Sequence, residues 1–176
     1  MKSTTLIAGA FLFSSIFPLF NPASVLQDPF TASETRKKEA TAMSHAKGTF
    51  EVQLAPLATS DTSEGSPLGR MSIDKKFSGD LQGTSKGEML TGGTSVKGSG
   101  VYVAVEHVTG SINGRAGSFL FRHVGVMTRG TPSLSVEVVP DSGTGQLTGI
   151  TGKMNIIITD GKHSYEFDYS LPESGK

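Results

Sequence analysis

The chain has 176 residues, no cysteine and a formal net charge of zero, from 16 basic and 16 acidic side chains. That length allows one domain with a tail. The missing cysteines exclude a disulfide, a thiolate metal site and a thiol nucleophile, and the balanced charge offers no basic patch for nucleic acid and no like-charged tail.

At the N-terminus Met1-Lys2 precedes an apolar run from Leu6 to Phe20. One positive charge followed by about 15 apolar or small residues fits a secretory signal peptide and is short for a membrane span. Asn21-Pro22-Ala23-Ser24 then breaks the run. Residues 1–27 therefore read as a signal peptide, with an uncleaved anchor as the alternative. No cysteine follows, so a lipoprotein anchor is excluded. The expectation is an exported protein, periplasmic or secreted, with no stable membrane anchor once the signal is removed. Residues 28–46 read as a linker or short helix: Ser33 to Ala46 is polar and alanine-containing, and Ser33 lacks the acidic partner of a capping box. His45 is expected to be solvated.

Residues 47–172 read as an all-β body. The 22 glycines and 8 prolines punctuate short β-rich runs. Phe50, Val52 and Leu54 alternate with polar neighbours, as in a half-buried strand. Residues 59–67 form a loop rich in Ser, Thr, Asp, Gly and Pro. Met71, Ile73, Lys75 and Phe77 share the next apolar face, so Lys75 either snorkels from a strand edge or is buried against a carboxylate. Gly79 and Gly83 mark a turn or bulge before a strand from Leu81 to Thr91.

The most patterned stretch follows. Val101, Val103 and Val105 alternate with Tyr102, Ala104 and Glu106, and an Asn113-Gly114 pair supplies the positive φ that hairpin turns require. The return arm sets Phe119, Phe121 and His123 on one face, with Ser118, Leu120 and Arg122 on the other. Neither arm is cleanly half polar, so both faces are expected to touch something. After a turn at Arg129-Gly130, Leu134, Val136 and Val138 make a strand. Met154 to Thr159 makes another, Asp160-Gly161 signals a hairpin, and Tyr165, Phe167 and Tyr169 line the last strand. About eight antiparallel strands of this kind close around a side-chain-filled or ligand-sized interior.

The glycine run from Gly143 to Gly152 is not a nucleotide-binding loop. The third glycine comes one residue late for the dinucleotide fingerprint, a strand follows instead of a helix, and Lys153 is followed by Met154 instead of Ser or Thr. Turn and bulge glycines account for it. His45, His107, His123 and His163 lie on different segments without metal-ligand spacing, so no metal is expected. No nucleophile elbow is present, no cofactor is implied, and no catalytic residue is assigned.

Four segments in order, KKFSGDLQGTS from Lys75, VEHVTGSINGRAGSF from Val105 with its continuation to His123, VPDSGTGQLTGITG from Val139 and YEFDY from Tyr165, resemble the DUF3224 family of bacterial proteins. The resemblance covers the body from Gly48 to Leu171. It implies a closed eight-stranded antiparallel barrel of the allene oxide cyclase-like type, a fold also similar to dirigent proteins, and carries over no activity. Related cyclase-like barrels imply an apolar ligand in place of an acidic or nucleotide one. His107 stands where the family more often has Arg; an Arg there that held Glu106 would make this pair different here.

Two functional readings follow. In the first, Lys75, Tyr102, Glu106, His123 and Tyr169 converge as a few polar groups in an apolar cavity and orient a small apolar molecule, with isomerase- or cyclase-like chemistry as an extension. Glu106 would then titrate high unless Lys75 paired with it. In the second, Glu106 and His123 only hold the barrel together. The two-faced apolar strands 101–108 and 154–159 then mark the subunit interface of a non-catalytic homo-oligomer.

Overall fold

The computed structural model of the chain describes residues 42–172, so the signal-peptide reading and most of the linker lie outside the described residues. Eight strands follow one another: β1 (Met43–Leu57), β2 (Leu68–Gly79), β3 (Leu81–Gly93), β4 (Gly100–Ile112), β5 (Arg115–Thr128), β6 (Thr131–Val138), β7 (Thr151–Thr159) and β8 (Lys162–Ser170). Each pairs antiparallel with the next, and β1 pairs with β8 to close the barrel. Closure removes most of the free edge that an open sheet would expose.

The local chemistry accounts for this meander. Asn113 (φ 49°) with Gly114 (φ 82°) and Asp160 (φ 51°) with Gly161 (φ 75°) take the left-handed conformation at both central turn positions, which matches the twist of the flanking strands. One extension was not legible in the pattern. Met43–Ala46 belong to β1, not to a linker, and run from Met43 opposite Ser170 to Ala46 opposite Phe167. Ala46 is fully buried. The short segment MSHA carries no clear alternation, and it is strand because β8 offers it a ladder.

Inward residues come every second position. One end of the barrel is filled by Val108, Phe119, Phe121, Val136, Phe167 and their neighbours, with Phe119 set edge-on to Phe121 at 4.9 Å between ring centres. The segment between β6 and β7 folds across this end. Its short 3-10 turn Gly145–Leu147 and Ile150 bury Leu147 and Ile150. The glycine run thus makes turns, as its composition suggested, and the segment they shape plugs this end. The opposite end, carrying the β1–β2, β3–β4, β5–β6 and β7–β8 connections, forms the mouth.

The wall is uneven. Most neighbouring strands share eight or more register pairs, but β6 and β7 share only Val136 with Met154 and Glu137 with Lys153. Towards the mouth these two strands are not paired with each other. On the outside of β3, β4 and β5, Leu90, Val103 and Val124 lie directly across from one another. Together with Val101, Val105 and Val126 they make an exposed apolar face.

Candidate functional site

The interior polar cluster sits midway along the barrel. Alternation along β4 sends Tyr102, Ala104, Glu106 and Val108 inward and the valines 101, 103 and 105 outward. Glu106 is fully buried, and Lys75 of β2 places Nζ 2.7 Å from its Oε2. Ser85 of β3 donates its hydroxyl to Oε1. Nε2 of His123, on β5, lies 2.9 Å from Oε2. The ring N–H is not directed along that line, so Nε2 has no full hydrogen bond and the contact is chiefly electrostatic. β3 approaches β4 closely at this point: Gly87 faces Glu106 in register, and a Cβ there would lie 3.1 Å from that of Glu106 and 2.5 Å from Val105 O.

Burial is the largest single influence on Glu106 and pushes its pKa up. The His123 contact, the charge and hydrogen bond of Lys75 and the Ser85 hydroxyl outweigh it together and bring the group down from 4.5 to about 2. The carboxylate is therefore ionised at neutral pH, with Lys75 as its counter-charge. The ammonium also stands 4.9 Å from the centre of the Phe50 ring, a cation–π placement that helps a buried cation.

Above the cluster, the mouth forms an open cavity of about 340 Å³ whose walls include Phe50, Val52, Ile73, Leu134 and Ile156. Lys75, Tyr102 and His123 also line it. Tyr102 faces Gly125 in register, and a Cβ at Gly125 would lie 2.0 Å from Tyr102 Cε1, so the glycine is what lets the ring lie across the wall. Burial, and then the nearby Glu106 charge, raise the Tyr102 phenol above its ordinary value. A second, outer hollow of about 540 Å³ shares Thr91, Tyr102 and Leu134 with the cavity and runs over the rim.

Of the five candidates, the structure brings Lys75, Tyr102, Glu106 and His123 together. Tyr169 is not among them. It is buried at the plugged end, against Phe167 at 5.3 Å between ring centres, and accepts a hydrogen bond from Asn113 Nδ2 at 3.0 Å. Alternation fixes which face a residue takes but not its height along the axis. His107 is exposed and points outward, away from Glu106, so a residue at that position does not hold the carboxylate; Lys75, Ser85 and His123 do. His45 is exposed, as expected, and contacts Asp168 Oδ1 at 2.8 Å. Among the described residues no group of His, Cys, Asp or Glu is placed to hold a metal.

Three neighbours of the site were missed by sequence reasoning. Ser85 carried no signal in the run Thr84-Ser85-Lys86, although its four-residue spacing from Leu81 puts it on the same strand face. Phe50 was read only as part of the apolar face of a half-buried strand. His163 was read only as lacking a metal partner, yet it lines the cavity and packs on Phe50 at 5.1 Å between ring centres.

No protein of curated function matches the chain. The family described as "Protein of unknown function (DUF3224)" matches residues 46–169. A crystal structure of a DUF3224 protein of unknown function from Shewanella oneidensis MR-1 is 47% identical, with a TM-score of 0.71, over 76% of this chain and 100% of that one. The matched span is the whole closed barrel, cavity and polar cluster included, and the chain belongs to the DUF3224 family.

Proposed function

We propose that this protein is an exported binding barrel for a small apolar molecule held in the mouth cavity. The observation that carries this reading is the cavity itself. Its volume of about 340 Å³ falls at the low end of the about 300–1,000 Å³ range of small-molecule sites, and its walls are apolar around a few polar groups. Export rests on Lys2 and the apolar run from Leu6 to Phe20.

The site favours binding over acid–base chemistry by Glu106. A carboxylate held at about 2 carries no proton to donate at neutral pH and is a weak base. Its partners fix it as a structural charge under the cavity floor.

The test is native mass spectrometry of protein purified from its exported compartment, compared with the same sample denatured. A mass excess lost on denaturation supports the reading, and its identification gives the ligand. Loss of that excess in an Ile156→Trp variant, which fills the cavity, places the ligand there. Protein at the calculated mass that also fails to take up an added neutral probe such as N-phenylnaphthylamine refutes it.

The outer valine face favours a second reading, a homo-oligomer without a ligand. Val101 and Val105 are 47% and 56% exposed, and a contiguous apolar face on β-strands suits an isologous contact between copies.

A further inference from the structure

The cavity floor presents a histidine neither of whose ring nitrogens is hydrogen-bonded among the described residues. His123 is 4% exposed and lines the cavity. Its Nε2 faces Glu106 Oε2 at 2.9 Å. The N–H direction lies off that line, but the negative carboxylate so close by still favours a hydrogen on Nε2 over a lone pair, so Nε2 carries the ring hydrogen. Nδ1 makes no hydrogen bond to the described residues, and among those residues Nε2 is the only side-chain nitrogen or oxygen sealed from solvent without a hydrogen bond. Nδ1 therefore opens onto accessible space, and the space beside this ring is the cavity.

Charge decides what Nδ1 offers. Glu106 and Lys75 already form a buried pair of opposite charges. A neutral His123 keeps the group balanced, whereas a second cation in the same apolar interior would be left without its own counter-charge. Nδ1 is then a bare lone pair, an acceptor with no donor. Tyr102, on the neighbouring strand, adds a hydroxyl that has no hydrogen bond within the described residues and also lines the cavity.

We infer that the cavity selects apolar molecules that carry a hydrogen-bond donor, a hydroxyl or N–H, at the end inserted towards the floor, with His123 Nδ1 as the acceptor that reads it. The inference rests on the binding reading above and adds the chemical class of the ligand. A molecule with only acceptors at that end, such as an ether, shuts Nδ1 off from solvent without pairing it, and the desolvation of that nitrogen is left uncompensated. A cationic amine is disfavoured by Lys75.

The experiment titrates naphthol and its methyl ether into the full barrel by isothermal calorimetry. The two probes share an aromatic body and differ in the donor. The expected result is binding of naphthol about tenfold tighter than the ether, with the difference collapsing in a folded His123→Leu variant and surviving in Tyr102→Phe. Equal affinities, or a preference for the ether, overturn the inference while leaving apolar binding in place. Discrimination lost in Tyr102→Phe but kept in His123→Leu overturns the role of His123. Binding of neither probe overturns this inference together with the reading beneath it. The wild-type comparison needs no variant, so it stands even where His123→Leu fails to fold.

Discussion

Replacing Lys75 by methionine isolates the buried carboxylate. Methionine fills similar space but removes the ammonium 2.7 Å from Glu106 Oε2. In the intact barrel Glu106 titrates at about 2 against an ordinary 4.5, and that difference corresponds to about 3 kcal/mol of folding stability. The folded value lies below the unfolded one. This stability is therefore present above about 4.5 and is lost as pH falls from there towards 2. In Lys75→Met only His123 and Ser85 oppose the cost of burial, and a charge stripped of its buried partner costs about 3–5 kcal/mol. Urea denaturation followed by circular dichroism, over a pH series, measures both quantities. The expected outcome is a deficit of that size at neutral pH that closes as the medium is acidified below 4.5, because the parent protein loses the contribution that the variant lacks. A Lys75→Met, Glu106→Gln double variant recovers most of the deficit, since no unpaired charge is left. A single-variant loss below about 1 kcal/mol, with the pH dependence of the parent, would refute the account, since that is the size of an exposed pair.

Gly110→Ala puts a Cβ 2.1 Å from Gln82 O and is expected to cost about 1–3 kcal/mol; a thermal melt like that of the parent would count against close strand approach there. Tyr165→Phe removes the hydroxyl that accepts the Leu81 N–H at 2.9 Å, and leaving that buried amide unpaired costs about 1–3 kcal/mol in urea denaturation. Val103→Lys leaves the fold intact and, if copies associate through the valine face, yields monomer in sedimentation velocity; an unchanged assembly would place the contact elsewhere. Phe11→Asp interrupts the apolar run of the N-terminus, and cell fractionation should then find the chain retained in the cytoplasm; normal export would defeat the signal-peptide reading.

The strands were legible because alternation and turn chemistry agree. Asn113-Gly114 and Asp160-Gly161 sit at turns whose φ values only a few residue types adopt readily, and the runs between them alternate with period two. Less legible was the sidedness of β4. Its alternating valines are the clearest apolar signal on that strand, yet they face outward, while the inward face carries Tyr102 and Glu106. A hydrophobic pattern assigns faces only when one face is plainly polar. The site was half legible for a related reason. Lys75, Glu106 and His123 stood out as polar residues in phase with apolar ones, and such residues need one another once buried. Tyr169 stood out in the same way but lies at the plugged end, and Ser85, small and among polar neighbours, gave nothing to see. Met43–Ala46 became strand only through pairing with β8 across more than a hundred residues of sequence, a long-range cause that no local pattern records.

The thin seam between β6 and β7 bears on how large an occupant the barrel accepts. Two register pairs hold these strands together, and the cavity-lining Leu134, Ile156 and Ile158 stand on the unpaired stretch towards the mouth. The wall there is a slot bridged by side chains, and widening it breaks few backbone bonds compared with parting any other pair of strands. On the binding reading proposed above, a molecule longer than the cavity would extend its tail along the slot with its leading end on the floor. On that reading selectivity would come from the chemistry of the inserted end, with the length of the tail left largely unmeasured.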